Sequence, residues 1–146
     1  MIIYTIGFTQ KTAKEFFNKI KDNKVNLLID IRLNNVSQLA GFAKGKDLEY
    51  FLKEICDCEY AHDDIFAPTK ELLDAYRAKK VSWNEYEKVF KRIMDERGVN
   101  ERFKKLYMKY DNICLLCTEP TAEQCHRRLI AEHLKKNIEN VEIIHI

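Results

Sequence analysis

The chain has 146 residues, 46% of them hydrophobic, and no low-complexity tract, which is enough for one domain with a full core and too little for two. The opening Met1-Ile-Ile-Tyr-Thr-Ile-Gly7 has neither a basic leader region nor a long apolar stretch, and no apolar run reaches the roughly 18 residues of a membrane span. A soluble, cytoplasmic protein with no membrane partner is expected, and its five cysteines, an odd number, suit a reducing compartment better than a disulfide framework.

Apolar runs of strand length fall at residues 2–6, 27–31, 58–62, 113–117 and 141–145, separated by stretches of helical period. That alternation predicts an α/β domain spanning 1–146, with a mainly parallel sheet of about five strands and helices on both faces. The second and fourth runs are almost uninterrupted, as central strands covered on both sides are. Thr12-Ala-Lys-Glu15 is a capping box opening a helix whose Ala13, Phe16, Phe17 and Ile20 share one face. Leu48, Phe51, Leu52 and Ile55 repeat the spacing, as do Phe103, Leu106, Tyr107 and Tyr110.

Between the third and fourth strands the sequence predicts about three helices where a crossover needs one. Pro68-Thr69 starts the first, Ser82-Trp-Asn-Glu85 reads as a capping box for the second, with Trp83, Tyr86, Phe90 and Ile93 on one face, and Gly98 separates it from the third. Residues 77–109 of this excursion hold 11 Lys/Arg against 5 Asp/Glu, a local +6 within a total of +2, so the remainder carries −4. The stretch is either a solvated helical surface or a surface for a polyanion such as nucleic acid.

In an open parallel sheet, ligands bind at the carboxyl ends of the strands. Unusual polar residues cluster there: Gly7 and Thr9 after strand one, Asp30 and Arg32 at the end of strand two, His62 after strand three, Cys117 and Glu119 after strand four. The segment Cys117-Thr-Glu119-Pro-Thr-Ala-Glu-Gln-Cys125-His126-Arg127 is the densest of these. Thr121-Ala-Glu-Gln124 reads as a capping box, which places Cys125, His126 and Arg127 just beyond a first helical turn, where amides and an adjacent Arg favour a thiolate. Cys125 is then either a reactive thiol or a small core residue beside Leu129. His126 is either an acid/base or a hydrogen-bond donor to a strand end. Arg127 and Arg32 are either anion ligands or partners in structural ion pairs, Arg127 with Asp30 or Glu119. Glu119, before Pro120, is the leading general acid/base. His133 is placed on a helix surface, and His145 closes the last strand.

Thr5-Ile6-Gly7-x-Thr9, Asp30-Ile31-Arg32 and Leu-Leu-Cys117-x-Glu119 followed by Cys125-His126-Arg127 and an apolar helix resemble the motifs of the domain of unknown function 488 family, with Thr9 where that family commonly has Ser. The resemblance runs through to the final strand and implies one shared site at the strand ends, but no reaction.

Several chemistries are excluded by spacing. A cysteine phosphatase needs Arg six positions after its Cys; Glu123 and Ala131 stand there instead. Gly7 is alone in its turn, so dinucleotide and P-loop fingerprints are missing and no cofactor is expected. Cys114 and Cys117 lie three apart in a strand and point to opposite faces, which argues against zinc on a four-ligand count. The expectation is an enzyme acting on a phosphorylated, nucleotide-like or nucleic-acid substrate. In it Cys117, Glu119, Cys125 and His126 are catalytic, and Gly7, Thr9, Asp30, Arg32 and Arg127 bind the substrate. The alternative is a non-catalytic module for nucleic acid or protein. Steep salt dependence without turnover distinguishes the module from the enzyme.

Overall fold

The computed structural model describes residues 1–36 and 40–146. Five strands, β1 (Ile2–Gly7), β2 (Leu27–Asp30), β3 (Glu59–His62), β4 (Asn112–Cys117) and β5 (Glu142–His145), form one wholly parallel sheet in the order β3-β2-β4-β1-β5. The helices are α1 (Ala13–Asp22), α2 (Gly45–Cys56), α3 (Lys70–Arg77), α4 (Trp83–Arg97), α5 (Val99–Tyr107) and α6 (His126–Asn137). This is the expected α/β architecture, including the three helices between β3 and β4. No helix among the described residues is long and apolar enough to cross a membrane.

Side-chain alternation along β4 divides the interior into two cores. Cys114 and Leu116 pack with Phe16, Phe17 and Ile20 of α1 and Leu48 and Leu52 of α2. Ile113 and Leu115 pack on the opposite face with Phe90 and Met94 of α4, Phe103 of α5 and Ile130 and Leu134 of α6. The period of two in a strand makes this split unavoidable, and it sends Cys117 to the α3–α6 side while Cys114 stays on the other. Both faces of β1 and β4 are therefore dry, which accounts for their Ile- and Leu-rich runs.

Local capping signals set three of the six α-helix starts among the described residues. The Thr12 capping box is present in both directions. Thr69 caps α3 through Leu72 N, and Ser82 accepts from Glu85 N in the forward half of its box. Gly98 ends α4 at φ 61°, a left-handed conformation that glycine adopts without a Cβ penalty.

Three expectations need correction. Tyr110 lies beyond α5, because the chain turns at Met108 to enter β4. His133 is buried rather than on a surface, since α6 packs between the sheet and α4. Residues 121–124 form bends and a turn, and α6 begins only at His126 with Cys125 as its N-cap. Side-chain bonds override the capping pattern there: Tyr76, 48 residues away, donates to Gln124 Oε1, and Arg128 Nε donates back to Glu123 O.

Candidate active site

β2 and β4 are neighbours whose chains leave toward opposite faces of the sheet, β2 into α2 and β4 into α6, so a crevice opens between their carboxyl ends. A cavity of about 430 Å³ lies above it. Its floor is Cys117, Cys125 and His126; its mouth is edged by Arg32, Glu119 and Gln124. The far wall is built by the helical excursion through Tyr76, Arg77, Trp83 and Tyr86. The expected convergence of the Asp-Ile-Arg and Cys-x-Glu segments is thus present: His126 Nε2 lies 2.9 Å from Ile31 O, and Arg32 edges the same cavity as Glu119.

His126 is oriented by that carbonyl. A carbonyl only accepts, so Nε2 carries the hydrogen, and the lone pair of Nδ1 faces Cys117 Sγ at 3.4 Å. Phe90 meets the imidazole edge-on at 5.8 Å and holds the ring plane. Cys117 and His126 therefore form a thiol–imidazole pair, buried against the sheet and lining the cleft.

The two thiols are not equivalent. Cys117 is held below the ordinary thiol range, first by a hydrogen bond from Cys125 and then by the amides of Thr118 and Glu119 and the charge of Arg127, all working against burial. Cys125 is pushed well up, first by donating to Cys117 and then by burial and the neighbouring thiolate. The expected low-pKa thiol at Cys125 is thus corrected: its thiol is shifted up, and of the two it is Cys117 that is shifted down. Cys114 also goes up by burial, and Cys58 goes up to about 12 for the same reason.

The two arginines of the motifs are committed inside the fold. Arg32 is 3% exposed and grips Asp30 with two bonds, Nε to Oδ1 at 2.8 Å and NH2 to Oδ2 at 2.6 Å, while NH2 also donates to Ala43 O. It lies over the Phe8 ring at 5.1 Å. Tyr60 donates its hydroxyl to Asp30 Oδ2, and burial together with the Asp30 charge raises that phenol. Arg127 is 1% exposed, donates to Glu119 O at 2.5 Å and approaches Cys125 Sγ at 3.6 Å. Each guanidinium fixes a loop carbonyl and so shapes the cleft, while among the described residues Arg32 NH1 and Arg127 Nε are buried without a hydrogen-bond partner. Asp30 is likewise wholly buried, and its carboxylate is taken up by Arg32 and Tyr60.

Gly7 and Thr9 act on the same loop from β1. A Cβ on Gly7 would lie 1.6 Å from Glu119 O, so only glycine admits this backbone approach. Thr9 Oγ1 donates to Thr118 O at 2.7 Å. His62 sits apart and bonds Arg32 O through Nε2, and His145 bonds Thr5 Oγ1 on the far edge of the sheet.

Tyr76, Arg77 and Trp83 had no functional signal in the sequence, where Tyr76 and Trp83 read as ordinary core positions. Trp83 stacks on Tyr86 with centroids 4.9 Å apart, and Tyr76 tilts against both. The available hint was a Trp and two Tyr flanking Arg77-Ala-Lys-Lys80, aromatics beside cations, on elements that must return to the β4 edge.

A model of the family described as Domain of unknown function DUF488 matches residues 12–134. The chain belongs to this DUF488 family. The match takes in the Asp-Ile-Arg and Cys-His-Arg segments and leaves β1 and β5 outside it. Among the curated proteins and the solved structures, none matches the chain.

Proposed function

We propose that this DUF488 protein is a thiol-dependent enzyme acting on a small substrate that joins a planar ring to an anionic group, as a nucleotide does. The observation that carries the reading is the Cys117–His126 pair on the floor of a cleft, with the lower-pKa thiol facing an oriented imidazole. Trp83, Tyr76 and Tyr86 supply flat apolar faces for a ring, and Arg77, exposed at the rim, supplies a cation for the anionic group. In the first step the Cys117 thiol proton passes to His126 Nδ1, Cys117 Sγ bonds to the electrophilic atom of the substrate, the leaving-group bond breaks, and the proton on Nδ1 goes to the departing group. In the second, the Glu119 carboxylate takes a proton from water, whose oxygen displaces the thiolate.

The cationic excursion gives less support to a nucleic-acid module. Arg97 donates to Ile65 O and Ala67 O, and Arg102 pairs with Asp63, so two of its eleven cations are spent on the fold.

Trp83 is the chain's single tryptophan, so its fluorescence reports cleft occupancy directly. Nucleoside monophosphates are expected to quench it saturably, and iodoacetamide to label Cys117 first near pH 7, with bound nucleotide protecting it. Turnover in a nucleotide panel should vanish in Cys117→Ser and His126→Ala. Labelling of Cys117 no faster than of Cys114 would sink the thiol reading. Steeply salt-dependent RNA or DNA binding without turnover would favour the module.

A further inference from the structure

The cleft floor also has the composition of a metal site. Cys117 Sγ, Cys125 Sγ and a ring nitrogen of His126 lie within 4.8 Å of one another. A tetrahedral zinc ion with Zn–S near 2.3 Å and Zn–N near 2.0 Å needs donors roughly 3.5–3.8 Å apart. Cys117 and His126 Nδ1 already stand at 3.4 Å. Bringing in the most distant pair requires about 1 Å of closure, within reach of a side-chain rotation. We infer that Cys117, Cys125 and His126 bind one zinc ion through Sγ, Sγ and Nδ1, with its fourth position open to the cleft, and that the ion switches off the thiol chemistry by taking the Cys117 lone pair.

The surroundings of the three donors are those a zinc ion uses. His126 gives its other N–H to Ile31 O at 2.9 Å, the outer bond that fixes the tautomer and orientation of a ligating imidazole. Arg127 NH1 stands 3.6 Å from Cys125 Sγ, and the amides of Thr118 and Glu119 are directed at Cys117, so both sulfurs have N–H donors that stabilise bound thiolates. Two thiolates and a neutral imidazole match a dication in charge and softness, and no carboxylate competes in the set, which disfavours magnesium or calcium. The four-ligand count that argued against zinc describes closed structural sites; zinc is also held by three protein donors with the fourth position open, as in catalytic centres. Cys114 takes no part, being on the opposite face.

The metal half of this inference stands without the proposed enzyme; the inhibitory half rests on it. Chelator-stripped protein is titrated with zinc against a chromophoric chelator, and cobalt(II) is used to look for thiolate-to-metal charge transfer. One equivalent per chain is expected, with affinity falling on the order of 100-fold in Cys125→Ser and in His126→Ala, and little change in Cys56→Ser, a half-buried thiol on α2. A measurement needing no variant accompanies this: in wild-type protein, one equivalent of zinc should slow alkylation of Cys117 about tenfold or more, in keeping with loss of the free thiolate. Absence of saturable binding, or binding that survives Cys125→Ser in a folded variant, overturns the site. Fast labelling of Cys117 that zinc leaves unchanged overturns the inference but leaves the thiol enzyme standing. Zinc binding with slow labelling of the stripped protein supports the site and removes the enzyme reading.

Discussion

Replacing Gly7 by Ala tests whether the approach of β1 to the loop after β4 builds the cleft. The added methyl would stand 1.6 Å from Glu119 O and 2.6 Å from its carbonyl carbon, both backbone atoms that no rotamer change can move. Ordinary contact begins at 3.4 Å, so the Glu119 carbonyl must retreat by the difference, about 1.8 Å. A shift of that size breaks the 2.5 Å bond from Arg127 NH1, a charge-assisted bond of about 1.5–3 kcal/mol, and weakens the 2.7 Å bond from Thr9 to Thr118 O, about 1 kcal/mol. Against this stand roughly 0.8 kcal/mol from burying a methyl and about 0.4–1 kcal/mol from restricting the unfolded chain. The net is a loss of about 2 kcal/mol. With a urea slope of roughly 2 kcal/mol/M, the unfolding midpoint should fall by about 1 M. Cys117 labelling should change as well, because the amides of Thr118 and Glu119 move with the loop. A midpoint within about 0.3 M of wild type, with an unaltered labelling rate, would show that the loop is not set by this contact.

Other substitutions test the remaining supports. Asp30→Asn leaves the buried Arg32 without its counter-charge and should cost about 3–5 kcal/mol in urea unfolding; a loss under about 1 kcal/mol would mean the pair is not a support of the fold. Thr9→Ser keeps the hydroxyl donated to Thr118 O and should match wild type, whereas Thr9→Val should lose about 1 kcal/mol; a loss in Thr9→Ser with none in Thr9→Val would assign the role to the methyl. His133 is shifted down, chiefly by burial, and its Nε2 accepts from the Asn100 amide. The unfolded chain therefore takes up this proton first: stability is full above about pH 6.5 and falls as the pH drops below it, until the lowered folded value is reached. His145 is shifted in the same direction, so His133→Gln should flatten part of that slope and leave the rest. An unchanged slope would place the acid sensitivity elsewhere.

The fold was legible because its signals are local and repeated. The strand runs at Leu27, Ile113 and Val141, the Thr12 and Thr69 caps and the Gly98 break each follow from a few adjacent residues, and the structure adds only boundary shifts of one or two positions. Fold-level rules then brought the Asp-Ile-Arg and Cys-x-Glu segments to one edge. Burial of His133 was less accessible, since its exposure depends on how α4 settles over α6, a contact between residues 38 apart such as Asp95 and His133. The cleft wall was faint in the sequence for the same reason. Tyr76 and Trp83 have the spacing of core residues, and whether a half-buried aromatic meets a core or a cavity is decided by elements distant in sequence.

The choice between the two thiols shows where local reading stops. A Thr-x-x-Gln pattern before Cys125 favours a helix start at Thr121, and that start gives Cys125 the amides. The start moves because Arg127 must reach back to Glu119 O and Gln124 must meet Tyr76, each bond holding residues 121–125 out of the helix. Cys125 then becomes the N-cap, and its sulfur lies within 4.8 Å of Cys117 Sγ. The amides that stabilise charge are those of Thr118 and Glu119, on the loop that Gly7, Thr9 and Arg127 fix in place. Gly7, Thr9 and Arg127 thus position a loop whose amides draw the Cys117 thiol down, and that sulfur faces both the imidazole of His126 and the open cleft.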